Sequence, residues 1–318
     1  MNRGGGRGPR SSGGGSRDRG DRRPRFGGDR TTTPPTDVVS SGSAAARTDD
    51  PPPRSAGPRA SDPGERLVYG ANPIRELIVR KPHAIRAVWV DPQRANRTTS
   101  DPVAAIVMAC RAGNIKLEDR DRHTLDRVAG EGAVHQGVVA WLGPFEYAEL
   151  GDLVQPGNGP RLIVALDGVE DPRNLGAILR SAYLLGAHGV VIPDHRAAAV
   201  TSVTAKASAG ASELLPIAQV GNLVRALDEL KDHGLWRVAV HATEGAQRID
   251  QIDATLGLVV VLGAEGAGVR PLVAKNCDFH AVIPMARDAV GSFNVSVAAA
   301  IALYELQRQR QAHTLPPA

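Results

Sequence analysis

Apolar side chains are distributed very unevenly along the 318 residues. Residues 1–66 are built from Gly, Arg, Ser, Pro and Asp with almost no large apolar side chains. Such a segment cannot bury enough surface to offset the entropy of ordering, so it is predicted to be a disordered tail. From Leu67 the texture changes. Asn72-Pro73 opens a helix, with Asn72 as cap and Pro73 in the first helical position. A strand run over 85–90, a helix over 102–112 capped by Asp101, and strands around 115–117 and 137–142 complete a small α/β unit over 67–142. Residues 143–160 are Gly- and Pro-rich with little periodicity, which suits a connection between domains. In 161–313 the apolar runs 162–166, 189–192, 215–220, 237–240 and 258–262 alternate with helical stretches. That is the pattern of a parallel sheet flanked by helices. The segment 295–306 is apolar nearly all round, so a helix there must be buried on more than one side, within the core or also against a second copy of the chain.

Charge changes the picture in one respect. The first 66 residues hold 13 Arg against 8 acidic residues while the whole chain carries +4, so the folded part is near neutral. It must bind a polyanion through a local patch rather than a global field. The tail either holds RNA loosely through its Arg/Gly segments or serves only to solubilise. Cys110 and Cys277 stand far apart with no His/Cys cluster at metal-ligand spacing, and the first residues lack an apolar signal core. The expectation is a reducing, cytoplasmic setting without a metal.

Three clusters can carry chemistry. The first, Asp171-Pro172-Arg173-Asn174-Leu175-Gly176 and on to Arg180, lies where a strand gives way to a helix, the edge at which open α/β sheets bind ligands. Its plain reading is Asp171 as cap, Asn174 satisfying the first turn and Arg180 in solvent. The second, Gly263-Ala264-Glu265-Gly266-Ala267-Gly268, follows an apolar strand and lets backbone approach a ligand closely. It lacks both the Walker lysine and the dinucleotide fingerprint, and its plain reading is a tight turn. The third comprises Ile283-Pro284-Met285 and Gly291-Ser292-Phe293-Asn294-Val295-Ser296. One of Ser292, Asn294 and Ser296 caps the last helix, and three such side chains exceed what one cap needs.

In this order the three clusters resemble the motifs of the SpoU (TrmH-type, SPOUT superfamily) RNA ribose 2′-O-methyltransferases. Tyr69-Gly70 with Pro73, and His135-Gln136-Gly137, further resemble the small ribosomal-protein-like RNA-binding domain of the RlmB subgroup, which acts on 23S rRNA. The resemblance implies an α/β parallel-sheet catalytic domain over 161–313 with a C-terminal trefoil knot, an exception to the rule against threading. It implies S-adenosylmethionine as cofactor, held largely by backbone around Gly263, Ile283, Met285 and Phe293, and a homodimer with sites near the subunit interface. Large-subunit ribosomal RNA is the implied partner, with no membrane and no metal. Asn174, Arg180, Glu265, Ser292 and Asn294 are the implied catalytic residues. Arginine stays protonated under ordinary conditions, so orientation and charge stabilisation suit Arg180 better than general-base work. Two positions depart from the family pattern: Phe293 replaces the usual Leu, and Gly291 replaces a frequent Glu. Readings that use the same motifs are a tRNA ribose methyltransferase and a resistance-conferring rRNA methyltransferase. From another class comes a non-catalytic RNA-binding or ribosome-assembly protein.

Overall fold

The computed structural model describes residues 65–96, 101–130, 132–155, 159–287 and 291–314. The expected tail lies outside them, except for Glu65, paired with Arg86, and Arg66, buried in the first strand. All described residues fall in one unit, which contains two sheets.

The small lobe runs β1 (Arg66–Tyr69), α1 (Ala71–Arg80), β2 (Ile85–Val90), α2 (Pro92–Ala95), α3 (Pro102–Ala112), β3 (Leu117–Asp119), α4 (Arg122–Ala129) and β4 (Val138–Leu142). Its four-stranded sheet has the order β1-β4-β2-β3, with β4 antiparallel to both neighbours and β2 parallel to β3. Buried residues of α1 and α3 pack on one face, through Ile74, Leu77, Ile106 and Cys110. Leu125 of α4 packs on the other, beside Trp89. Asp101 caps α3 as expected. Asn72 does not cap α1: Gly70 holds that position, and the Gln136 side chain accepts from Ala71 N at 2.9 Å. The orphan donor of that helix start is therefore satisfied from across the lobe rather than by its own neighbour.

The expected connection over 143–160 is largely built into the structure. Phe145 and Tyr147 pack against the main core, Ala148 bridges to a strand of the large sheet, and Leu153 in a short 3-10 turn over 150–154 is fully buried. Apolar side chains at these positions outweigh the turn-forming composition around them.

The large lobe runs β5 (Leu162–Asp167), α5 (Pro172–Leu184), β6 (Gly189–Pro193), α6 (Ser202–Ala207), α7 (Ala211–Leu214), β7 (Ile217–Val220), α8 (Leu223–Asp232), β8 (Trp236–Val240), β9 (Gln247–Arg248), β10 (Leu258–Gly263), α9 (Pro271–Lys275), β11 (Phe279–Val282) and α10 (Val295–Thr314). Its seven strands, ordered β7-β6-β5-β10-β8-β11-β9, are all parallel. Buried on both faces, they read as continuous apolar runs. Along β5 the pleat sends Leu162, Val164 and Leu166 into the cluster with α5 and α10, and Ile163 and Ala165 into the one with α8 and α9. In α10, Val295, Ala299, Ala302, Leu303 and Leu306 are buried, while Tyr304 on the same helix is 60 % exposed.

Candidate active site

Because the strands are parallel, β5, β10 and β11 deliver their carboxyl ends to one edge of the sheet, and the three clusters follow those ends. At the end of β5, buried Asp167 accepts from the Arg270 backbone N at 2.7 Å and from its Nε at 2.6 Å. This ion pair ties the far side of the glycine loop to the neighbouring strand. Asp171 caps α5, accepting from Arg173 N at 2.8 Å, as the sequence suggests. Asn174 then sits in the first turn of that helix, half-buried.

The glycine loop is both a tight turn and a presenting element. A Cβ on Gly263 would lie 1.9 Å from the carbonyl carbon of Gly268, so no other residue fits there without moving the loop. Ala264 and Gly268 exchange backbone hydrogen bonds at 3.1 and 2.9 Å, which leaves Glu265 exposed at the tip. In the third cluster Asn294 is the cap: its Oδ1 accepts from Ser296 N at 2.9 Å and from Ser296 Oγ at 2.6 Å.

Those caps join the clusters. Asn294 Nδ2 donates to Asn174 Oδ1 at 3.2 Å, and Asn174 Nδ2 donates to Glu265 Oε2 at 3.4 Å. The partners are 120 and 91 residues apart in sequence. Gly263, Glu265, Ile283, Met285, Ser292 and Phe293 line one cleft of about 740 Å³, counted out to its mouth, with Leu262, Val295 and Ala298 as apolar walls. Asn174 and Glu265 line a second cleft with Gly168 and Asp171. Glu265 and Val295 border both; Asn174 lines only the second, and Asn294, bonded to Asn174, lines neither. Arg180 lines neither: it is on the exposed face of α5.

His241, which follows β8, lines the first cleft and lies 2.9 Å from His280 between ring nitrogens. Burial, then the neighbouring His280, holds its imidazole below the ordinary value. Sequence reading passed over it, although the strand end over 237–240 pointed to the residues just after it. Among the described residues no group of three or more His, Cys, Asp or Glu could hold a metal ion.

The model of the SpoU rRNA methylase family matches residues 161–304, and that for RNA 2′-O ribose methyltransferase substrate binding matches 67–148. The 23S rRNA (guanosine-2′-O-)-methyltransferase RlmB of Pseudomonas putida is 40 % identical over 77 % of this chain and 96 % of its own length. The chain belongs to the SpoU rRNA methylase family. It is an S-adenosylmethionine-dependent RNA ribose 2′-O-methyltransferase. An uncharacterized tRNA/rRNA methyltransferase of Mycolicibacterium vanbaalenii is also 40 % identical, over 77 % of each chain. Among solved structures, the SpoU methyltransferase AviRb from Streptomyces viridochromogenes, in complex with AdoMet, superposes with a TM-score of 0.62 at 26 % identity, covering 79 % of this chain and 92 % of that one.

Proposed function

We propose that this SpoU methylase modifies the 2′-hydroxyl of a guanosine in 23S ribosomal RNA. The observation that carries its site is the hydrogen-bonded chain Glu265–Asn174–Asn294, which draws three distant segments together beside two adjoining clefts that share Glu265. In this reading the first cleft takes S-adenosylmethionine. Its apolar walls suit the adenine, and the crowded Gly263 turn brings backbone within reach of the ligand. Ile283, Met285 and Phe293 complete that wall, and because Phe293 would act through its backbone, the departure from Leu alters shape rather than contact. The cofactor, when bound, supplies a methyl group on a sulfonium leaving group. The second cleft takes the ribose, where Asn174 and Glu265 orient the 2′ oxygen for in-line attack. Ser292 and Asn294 support that alignment from the cofactor side.

A ribose hydroxyl is a poor nucleophile; as its oxygen bonds the methyl carbon and the carbon–sulfur bond breaks, its proton passes to the Glu265 carboxylate or to solvent, and the negative charge developing on the oxygen must be stabilised. Arg180 supplies positive charge for this, from the partner of a homodimer. What favours this is that Arg180 stands outside both clefts of its own chain, on an α5 face that also exposes Leu184 to 69 %. The helix α10, packed against α5, exposes Val297 and Tyr304 as well. The trefoil knot in the carboxyl-terminal chain, the RNA-binding role of residues 67–142 and a cytoplasmic location belong to the same reading. The relative that supports the substrate is the 23S rRNA enzyme named above.

Incubation of the protein with unmodified 23S rRNA and labelled cofactor, followed by digestion and mass spectrometry, tests the proposal. A 2′-O-methylguanosine at one position is expected. Methylation of tRNA alone, or of a base, would overturn it. Arg180→Ala is expected to lose transfer while keeping cofactor binding, and mixed dimers carrying Arg180→Ala in one subunit and Gly263→Val in the other should recover about half-site activity.

A further inference from the structure

The two lobes meet where α6 and α7 of the large lobe enter the core of the small one. Ala205 of α6 is buried in the small-lobe cluster with Val68, Ile74 and Val138, and Leu214 of α7 packs against it. Gly210, between the two helices, has φ +83°, and a Cβ there would lie 2.8 Å from Pro73 Cβ and 3.1 Å from Val68 Cγ1. Lys206 Nζ donates to Val128 O at 3.3 Å. At the centre Arg66 of β1 forms an ion pair with Glu213 of α7, and the two residues are only 3 % and 2 % exposed. Arg66 also donates to Gly143 O at 3.0 Å and Pro144 O at 3.3 Å, with its guanidinium 4.9 Å from the centre of the Phe145 ring. Glu213 accepts from Ser212 Oγ at 3.4 Å. On its other side α6 bears directly on α5, since a Cβ at Gly176 would meet Ala207 Cβ at 2.5 Å and Thr204 O at 2.8 Å.

We infer that the α6–α7 corner is a rigid coupling that sets the small lobe in one orientation relative to the reaction clefts, with Arg66 and Glu213 as its positioning pair. Apolar contacts alone let two surfaces slide, and a covalent connection alone leaves lobe orientation free. A desolvated ion pair is directional: moving either partner leaves a buried charge uncompensated. The route is continuous, from β1 through Glu213 and α6 to α5, whose first turn carries Asn174. RNA gripped by the small lobe is thereby presented to Asn174 and Glu265 in a fixed register, and the coupling serves substrate capture rather than the chemical step. This rests on the reading of residues 67–142 as the part that holds RNA.

The full chain with Arg66→Met tests it. The KM for 23S rRNA is expected to rise about tenfold or more, with kcat at saturating RNA and cofactor affinity by calorimetry within about threefold. The double variant Arg66→Met/Glu213→Leu removes the unpaired charge and is expected to regain thermal stability but not KM. Recovery of both together, or equal loss of cofactor and RNA binding in the single variant, would show a purely structural pair and overturn the inference. A second readout needs no RNA. Spin labels at exposed Met108→Cys and Leu272→Cys, with labelled chains diluted in excess unlabelled chain so that a dimer carries one labelled subunit, should give a narrow distance distribution in the parent and a broad one with Arg66→Met. The native thiols interfere little, because burial pushes Cys110 up to about 11 and Cys277 up to about 12. A distribution that stays narrow sinks the coupling whatever the RNA target proves to be. Absent methyl transfer with the broadening intact sinks the substrate reading alone.

Discussion

The two lobes each contain a conspicuous polar and glycine-rich motif, and the structure uses them in opposite ways. In the small lobe His135-Gln136-Gly137 is consumed by architecture. His135 Nε2 lies 2.8 Å from Asp126 Oδ1, its Nδ1 accepts from Gly137 N at 3.2 Å, Gln136 serves the start of α1, and Gly137 takes φ +85° beside Arg94. His135 Nε2 and Nδ1, Gln136 Oε1 and Gly137 N each bond to protein, although the Gln136 side chain is itself exposed. In the large lobe Asn174, Glu265 and Asn294 also bond one another, yet Asn174 and Glu265 still border an open cleft. Sequence conspicuousness therefore does not distinguish a turn from a site. What distinguishes them is whether hydrogen-bonding capacity remains pointed at space that a ligand can fill.

The contrast can be broken at its sharpest point first. Gly263→Ala should weaken S-adenosylmethionine binding by about a hundredfold or more, since the added methyl displaces the loop that walls the cleft. Calorimetry checks it, and near-parent affinity would mean the loop is not the cofactor wall. Asn174→Ala should lower kcat by about a hundredfold while leaving the cofactor Kd within about threefold, because a misplaced reacting hydroxyl loses alignment rather than affinity. Single-turnover methyl transfer measures this. His135→Ala should do the reverse, costing about 2 kcal/mol of stability with no change in cofactor affinity. Denaturant unfolding decides, and a loss of cofactor affinity would show that the small-lobe motif reaches the site.

The smallest expected effect is on pH dependence. His241 in the folded chain has its pKa depressed from the ordinary 6.5 by burial and by His280, and His188 is depressed by burial and the nearby Arg161 and Arg310. As the pH falls through 6.5 the unfolded chain takes up protons first, so folded-state stability is full above that value and declines below it. The Tm should fall between about pH 7.5 and about pH 5.5, and His241→Thr should reduce that fall. An unchanged slope in the variant would assign the effect to other groups.

Much of the fold was legible because periodicity is local. The run over 85–90 became β2, Asp101 and Asp171 cap the helices they precede, and the apolar runs of the large lobe became β5, β6, β7, β8 and β10. β11 escaped because four residues including a His make too short and mixed a run, and they become a strand only between β8 and β9. The cap of α1 escaped because its partner, Gln136, is 65 residues away.

By itself the sequence determined the kind of elements, the order of the three clusters and the family to which they belong, since each depends on neighbours within a few positions. Tertiary structure alone decided that Asn294 caps one helix while bonding Asn174 in another, and that Arg66 closes on Glu213 at the lobe junction. These are pairings between residues scores of positions apart. Spacing along the chain carries no record of them, because they arise only when parallel strands bring distant ends to one edge and packing leaves a buried charge a single partner.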